Sequence, residues 1–124
     1  MRLYAPKKQS FPQGKGKYSV EQIEELKIRV SLSYYLEIQD DLDEVSSDGY
    51  GMRCISPLRK NASNPMSFSV QAVGDFDIEF FYDFGESNEE RRSGDIFRYI
   101  MLRDDVSFTE ALKIVVDFAE EHSL

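Results

Sequence analysis

Few side chains in this sequence are of the kinds that make or break covalent bonds. The chain has one cysteine, Cys54, and one histidine, His122, close to the C-terminal end. A reactive thiolate needs a partner that lowers its pKa, and the sequence places no histidine beside this cysteine. The carboxylate pairs Asp40-Asp41 and Asp104-Asp105 fall in or beside predicted turns, which indicates capping rather than catalysis. We therefore expect a half-buried strand cysteine, no catalytic residues and no enzyme.

Basic side chains are unevenly distributed along the chain. The net charge is −8, yet residues 1–17 hold five basic side chains and no acid, which leaves 10 basic and 23 acidic side chains in the other 107 residues. The basic segment is either a tail that contacts a nucleic acid or an acidic partner, or a disordered, solubilising leader. The acidic remainder excludes nucleic-acid binding over the whole surface, so any such contact must be local.

Length and composition indicate one domain with a real core. The chain has 124 residues, of which 41% are hydrophobic, with 7 Tyr and 9 Phe. No apolar run approaches the roughly 20 residues that span a bilayer, and no signal peptide is evident. We expect a cytoplasmic protein without membrane contact, divided into a flexible basic arm (1–18) and a folded domain (19–124).

The first ordered element is predicted to begin at Ser19. Ser19 and Gln22 have the spacing of a capping box, and apolar residues follow at helical spacing from Val20 to Val30. The segment from Ser31 to Leu36 either continues this helix or forms a second, short one. The acidic stretch from Glu37 to Asp48 is typical of a solvated helix end and loop.

Three strands are predicted in the middle of the chain. The segments Tyr50 to Ile55, Ser67 to Val73 and Asp77 to Phe84 are rich in aromatic and β-branched residues. Gly74-Asp75 suits an antiparallel hairpin between the second and third strands. A loop from Ser56 to Met66 connects the first two.

Two helices are predicted to close the chain. Gly94-Asp95 opens the first, with Asp95 as its cap, and Ser107 and Glu110 form a second capping box. The apolar face of the last helix contains Ala111, Leu112, Ile114, Val115 and Phe118. The predicted fold class is α+β: a small three-stranded antiparallel sheet flanked by an N-terminal helix and two C-terminal helices.

Five short motifs, taken in order, resemble the zinc-binding domain at the N-terminus of bacterial and phage DNA primases. They are CISPLR from Cys54, SFSV from Ser67, FYDFGE from Phe81, GDIF from Gly94 and SFTEA from Ser107. The family has Cys-Pro-x-His, Pro-Ser-Phe-Ser-Val, Cys-Phe-Gly-Cys, Gly-(Asn/Asp)-x-Phe and Ser-Phe-x-Glu-Ala at these places. The resemblance extends over residues 19–121 and implies a zinc-ribbon-like sheet.

The sequence departs from the family at the metal ligands. Of four ligand positions, only Cys54 is kept, since the histidine falls near Leu58 or Arg59 and two cysteines correspond to Asp83 and Glu86. Structural zinc sites take four ligands, mostly thiolate and imidazole. We therefore expect a zinc-free relative, similar to mobile-element variants of the domain, with no metal and no cofactor.

Aromatic side chains are expected to replace the metal as the local core. The candidates are Phe68, Phe80, Phe81, Tyr82 and Phe84, and Phe68 and Phe84 in particular are predicted to be core residues. The alternative is that one or two of the five are exposed and stack on bases.

The resemblance implies binding rather than catalysis, because the primase domain helps a polymerase core to engage single-stranded template and that core is absent from these residues. Candidate phosphate contacts are Arg53, Arg59, Lys60, Arg91, Arg92 and Arg98. In the family fold both loops that carry them flank the metal site, so they are expected to converge there. The alternative is that they form solvated ion pairs with neighbouring glutamates.

Two functions remain open. The first is a non-catalytic accessory domain that binds single-stranded DNA during replication of a phage or mobile element, alongside a polymerase or helicase. The second is an interaction protein of such an element that reuses the fold to bind, and so inhibit or redirect, a host protein. The basic positions favour the first function, and the acidic remainder favours the second.

Overall fold

The computed structural model describes residues 18–42, 46–47 and 51–124 of the chain. Within these ranges the helices are α1 (Val20–Arg29), α2 (Leu32–Gln39), α3 (Glu89–Arg92), α4 (Ile96–Asp104) and α5 (Phe108–Glu121). Of the helices in these ranges, none is long and apolar enough to cross a membrane. The predicted basic arm, apart from residue 18, lies outside the described residues.

Serine caps separate the two N-terminal helices. The Ser19 hydroxyl accepts a hydrogen bond from the backbone N–H of Gln22 at 3.1 Å, and the Gln22 side chain accepts one from the Ser19 N–H at 2.8 Å. The predicted capping box is therefore confirmed. Val30 then adopts an extended conformation, and Ser31 caps α2 by accepting a hydrogen bond from the backbone N–H of Tyr34. A second helix, rather than a continuation of the first, follows.

The two C-terminal helices begin at the predicted caps. Asp95 accepts a hydrogen bond from the backbone N–H of Arg98 at 3.0 Å, at the start of α4. Ser107 and Glu110 form the second capping box, at the start of α5. Between the two helices, Asp105 has a φ of +56°, the left-handed conformation that ends many helices.

The sheet contains the three predicted strands and a two-residue strand at each edge. The strands are β1 (Ser46–Ser47), β2 (Met52–Cys54), β3 (Phe68–Val73), β4 (Ile78–Asp83) and β5 (Ser93–Gly94). They lie side by side in chain order, and each pairs antiparallel with the next. The predicted hairpin is confirmed at residues 74–77. The α+β class is confirmed. The predicted three strands and flanking helices match only roughly, because the two edge strands and α3 were not predicted and β2 is shorter than the predicted segment from Tyr50 to Ile55.

The register of the central strands defines an inner face. Cys54 pairs with Phe68, and Phe68 pairs with Asp83. Because side chains alternate along a strand, these three residues share a face with Val70 and Phe81. All five are at most 2% exposed. This face is the sheet's contribution to the core.

The helices cover this inner face. Phe68 and Phe81 stack with ring centroids 5.4 Å apart, and Tyr99 of α4 meets both rings edge-on at 6.2 and 6.0 Å. The carboxylate of Glu79 in β4 accepts hydrogen bonds from the backbone N–H and the hydroxyl of Ser33, at 2.7 and 3.1 Å. Ring packing thus joins α4 to the sheet, and a carboxylate joins α2 to it.

A polar cluster ties α2 to α4. Arg103 pairs with Asp40 and donates a hydrogen bond to the Tyr35 hydroxyl at 2.8 Å, while the Tyr99 hydroxyl donates one to Asp40 at 2.5 Å. Burial, together with the hydrogen bond and negative charge of Asp40, raises the pKa of Tyr99 well above its usual range. The tyrosine is therefore neutral and acts as a donor.

Only two of the five aromatic residues expected to form a local core do so. Phe68 and Phe81 are 0% and 1% exposed, whereas Phe80, Tyr82 and Phe84 are 37%, 40% and 57% exposed. The exposed three alternate with the buried positions of β4, so they face away from the helices. The prediction that Phe84 is a core residue is wrong, because the period of the strand puts it on the outer face.

Alanine substitutions at Phe68 and Phe84 should have different effects on stability. Phe68→Ala removes a buried, stacked ring and should lower the free energy of unfolding by about 3–5 kcal/mol. Phe84→Ala removes a mostly exposed ring and should change it by less than about 1 kcal/mol. Urea denaturation followed by circular dichroism measures both changes. A loss of more than about 2 kcal/mol for Phe84→Ala would contradict its exposed position.

Candidate nucleic-acid interface

A buried carboxylate organises one end of the sheet. Asp83, the last residue of β4, is 0% exposed. The Ser56 hydroxyl donates a hydrogen bond to it at 2.6 Å, and Arg59 Nε donates to its two oxygens at 3.0 and 3.1 Å. Arg59 Nη2 lies 3.0 Å from Oδ1, and the Gly85 N–H donates to the same oxygen at 3.3 Å. A charge removed from water is tolerated only with partners of this kind.

The turn after β4 leaves room for the guanidinium group. A Cβ atom on Gly85 would lie 2.3 to 2.8 Å from three atoms of the Arg59 guanidinium. A side chain at this position would require the guanidinium to shift from its place on Asp83. The glycine of the Asp-Phe-Gly sequence leaves space for the pair as it stands.

The resemblance assigns the zinc-ligand positions to Cys54, Leu58 or Arg59, Asp83 and Glu86, and the side chains found there do not fit a zinc ion. Arg59 places a positive charge beside Asp83. A zinc ligand must offer a free electron pair to the ion, and the arginine guanidinium has none to offer. Burial, and secondly the charge of Asp83, raises the pKa of the Cys54 thiol to about 11, so it is protonated at neutral pH. Among the described residues, no group of three or more His, Cys, Asp or Glu side chains could hold a metal.

The stabilising element at this end of the sheet is therefore the group of Ser56, Arg59 and Asp83, together with the two buried rings. This corrects the expectation that five aromatic side chains take over from the metal. Cys54 is also more buried than expected, at 2% exposure. A protonated, enclosed thiol is poorly suited to nucleophilic attack.

The outer face of the sheet carries an aromatic platform, which we define as Arg53, Phe80, Tyr82 and Phe84. The rings of Tyr82 and Phe84 are in contact, with centroids 4.7 Å apart. On the neighbouring strands, Arg53 lies across from Ser69, and Ser69 lies across from Tyr82. Because Ser69 is small, the Arg53 side chain has space to lie over the Phe84 ring. The Cζ atom of Arg53 is 5.0 Å from the centroid of that ring.

A pocket of about 340 Å³ opens beside the platform. It is lined by Arg53, Arg59, Asn61, Ala62, Ser63, Asn64, Met66, Ser67, Phe84 and Gly85. Arg53 Nη1 donates a hydrogen bond to the Met66 carbonyl at 3.2 Å, and Asn64 accepts one from the Met66 N–H at 2.9 Å. The loop between β2 and β3 is thus held at Met66 by Arg53 of β2 and by its own Asn64, and it contributes to the lining of the pocket.

The structure brings two of the six candidate phosphate contacts, Arg53 and Arg59, together around this pocket. Arg91 lies 3.9 Å from the carboxylate of Glu86. Arg92 donates hydrogen bonds to the carbonyl groups of Glu86 and Ser87, at 3.0 and 2.9 Å. These two arginines therefore hold the chain segment that precedes them.

The other two candidates are exposed. Lys60 lies on the β2–β3 loop, next to the arginine that pairs with Asp83. Arg98 lies on α4, and a Cβ atom on Gly94 of the edge strand would be 2.5 Å from its side chain. Neither residue lines the pocket beside the platform.

Sequence analysis did not single out the pocket's polar lining. In the sequence, the asparagines of the loop indicate only a loop, and Ser67 indicates only the start of a predicted strand. Alternation along β3 and β4 would place Ser67, Ser69 and Tyr82 on one face. This alternation identifies the outer face only when the strand register is known. Polarity alone does not identify it, because the polar residue Asp83 lies on the inner face.

Comparison with known proteins adds no relative. No family model, no curated protein and no solved structure matches the chain.

Charge reversal at Arg59 and at Lys60 should have different effects on stability, because Arg59 pairs with the buried Asp83 whereas Lys60 is exposed. Arg59→Glu leaves Asp83 buried without its partner and adds repulsion, so it should lower the free energy of unfolding by about 3–5 kcal/mol. Lys60→Glu changes an exposed neighbour and should cost less than about 0.5 kcal/mol. Urea denaturation compares the two variants. Equal costs for the two variants would contradict the pairing of Arg59 with the buried Asp83.

The raised pKa of Cys54 should appear in the pH dependence of stability. The folded thiol, with its pKa raised from 9.0 to about 11, keeps its proton over a range in which the unfolded chain loses it. Stability should therefore fall as pH rises above about 9, by about 1 kcal/mol per pH unit. Cys54→Ala should lose this slope between about pH 9 and pH 10, while the tyrosines contribute equally to both proteins. Equal slopes for the two proteins would refute the raised pKa.

Proposed function

We propose that this chain binds single-stranded DNA on the aromatic platform, without catalysing a reaction, as an accessory in the replication of a phage or mobile element. The observation that carries the proposal is the exposed row of Phe80, Tyr82 and Phe84 with Arg53 beside it. The link to replication comes from the resemblance alone. A polymerase or helicase would then be the protein partner.

The chemistry of the platform supports a single strand as the ligand. Aromatic side chains stack on bases without regard to sequence, and each stacked base contributes about 1–3 kcal/mol. Arginine adds bidentate hydrogen bonds to phosphate and can stack as well. Bases are accessible to such rings when they are unpaired, so a duplex is the poorer ligand.

Electrostatics limits the affinity. The part of the chain after residue 17 carries 10 basic and 23 acidic side chains and repels DNA over much of its surface. Attraction is confined to Arg53, Lys60 and their neighbours at one end of the sheet. Added salt screens charge interactions over a Debye length of about 8 Å at physiological ionic strength, so binding should be modest and should weaken steeply with salt.

A reaction is not part of the proposal. Burial raises the pKa of the Cys54 thiol to about 11, so the thiol stays protonated even at mildly alkaline pH. His122, at the end of α5, packs its ring against Phe118 at 4.3 Å and Tyr34 at 6.1 Å. The Nε2 atom of His122 lies 3.9 Å from the carboxylate of Glu121, and neither His122 nor Cys54 is part of the platform.

Removing platform rings should weaken binding to a single-stranded oligonucleotide. The double variant Tyr82→Ala/Phe84→Ala loses two exposed rings and should bind a fluorescent oligothymidylate of about 12 nucleotides at least tenfold more weakly. Fluorescence anisotropy at low salt measures the affinity. Phe76→Ala is the matched control, since this ring is 61% exposed but lies in the β3–β4 turn, and it should bind like the wild-type protein. No binding by the wild-type protein, or equal loss in the control, rejects the proposal.

Salt dependence tests the charge contacts separately. Charge reversal at Arg53 or at Lys60 should each flatten the plot of log affinity against log salt by about 0.7 per lost phosphate contact. Melting temperature should be unaffected by Lys60→Glu, which separates binding from folding. An unchanged slope in both variants would remove these residues from the interface.

The second candidate, an interaction protein that binds a host protein, is favoured by one observation. Val73 and Phe76, near the end of the β3–β4 hairpin, are 56% and 61% exposed, so apolar side chains are also exposed away from the platform. Exposed apolar patches mark protein interfaces. Oligonucleotide binding that depends on the platform supports the first candidate, and its absence supports the second.

A further inference from the structure

The pocket beside Phe84 contains a polar group that lacks a partner. Ser67 lines the pocket and is only 5% exposed. Among the residues that the structure describes, its hydroxyl oxygen is the one buried side-chain oxygen or nitrogen without a hydrogen-bond partner. Such a group is costly to bury. The oxygen is sealed from solvent, so a ligand with polar atoms in the pocket would supply the missing partner once the Ser67 side chain rotates toward it.

The lining favours an anionic group joined to a flat ring. Arg53 and Arg59 are both in the lining, and of the described residues no aspartate or glutamate takes part in it. The charge of Arg59 is offset by Asp83, whereas Arg53 is engaged by a backbone carbonyl and by the face of Phe84. The pocket therefore combines positive charge with an exposed aromatic wall.

The volume restricts the ligand to a small one. About 340 Å³ lies near the lower end of the roughly 300–1,000 Å³ that ligand pockets span. The amides of Asn61 and Asn64 and the hydroxyl of Ser63 add donors and acceptors around it. Amides of this kind form hydrogen bonds with the edges of bases.

We propose that this pocket binds one nucleotide, with its phosphate on Arg53 and the Ser67 hydroxyl and its base on Phe84. The inference rests on the proposed function and deepens it, because the platform then carries neighbouring nucleotides of the same strand. One nucleotide would be held in a cavity, and the others would lie on an open surface. Arg59 acts as a positioning residue, since its guanidinium is fixed by Asp83.

The test uses the full chain and three small probes: thymidine 5′-monophosphate, thymidine and inorganic phosphate. Titration calorimetry should give saturable binding of the monophosphate, with thymidine and inorganic phosphate each at least tenfold weaker, a difference of about 1.4 kcal/mol. Equal binding of inorganic phosphate would show a simple anion site and overturn the nucleotide proposal. No binding of the monophosphate would overturn it as well.

Ser67→Ala distinguishes a ligand contact from a structural role. Loss of an unpaired hydroxyl should leave the melting temperature unchanged or higher, whereas binding of the monophosphate should weaken about tenfold. Ser69→Ala is the control, because this serine lies two residues further along the chain in β3, is 3% exposed and does not line the pocket. Wild-type affinity in Ser67→Ala, or an equal loss in Ser69→Ala, contradicts the assignment.

Oligonucleotide binding separates the two proposals. If the oligonucleotide binds through Tyr82 and Phe84 but the monophosphate does not bind, the pocket inference fails and the proposed function stands. If the monophosphate binds with the expected dependence on Ser67 and the oligonucleotide does not, the pocket is supported and the proposed function fails. If neither binds, both are rejected.

Discussion

The buried carboxylate of Asp83 constrains one whole end of this protein. A strand that places Phe81 on the inner face must also place Asp83 there, two residues later. The carboxylate is 0% exposed, so it has to be neutralised and hydrogen-bonded from within the fold. Ser56 and Arg59 reach it from the β2–β3 loop. The loop is thereby fixed against the end of β4, and the glycine at position 85 leaves space for the guanidinium that lies against it.

The interface depends on that arrangement. With the loop fixed, its asparagines and Arg59 form one wall of the pocket, while Phe84, the next residue after Asp83, forms part of another. The same alternation that buries Asp83 exposes Tyr82 and Phe84 on the opposite face. An ion pair inside the fold and a ring surface outside it are thus two consequences of one strand register.

Much of the fold could be predicted from local signals. The capping boxes at Ser19 and Ser107 and the cap at Asp95 depend on residues three apart, so they need no knowledge of tertiary structure. The hairpin between β3 and β4 has a similar local origin. Two-residue edge strands such as Ser93–Gly94 have no such signal, because they are defined only by their neighbours.

The site could be predicted only in part. Arg53 and Arg59 were identified as candidates by residue type, but the partner of Arg59 lies 24 residues away in sequence. The face occupied by Phe84 depends on register, and an aspartate on the inner face conceals the usual alternation of apolar and polar residues. The unpaired hydroxyl of Ser67 follows from packing alone.

The central claim is that Arg59 and Asp83 stabilise each other directly. A double-mutant cycle with Arg59→Leu, Asp83→Asn and the combined variant, followed by urea denaturation, measures that coupling. Since the two side chains make several hydrogen bonds and one is fully buried, the expected interaction energy is about 2–3 kcal/mol. Additive effects, with a coupling below about 0.5 kcal/mol, would contradict the account.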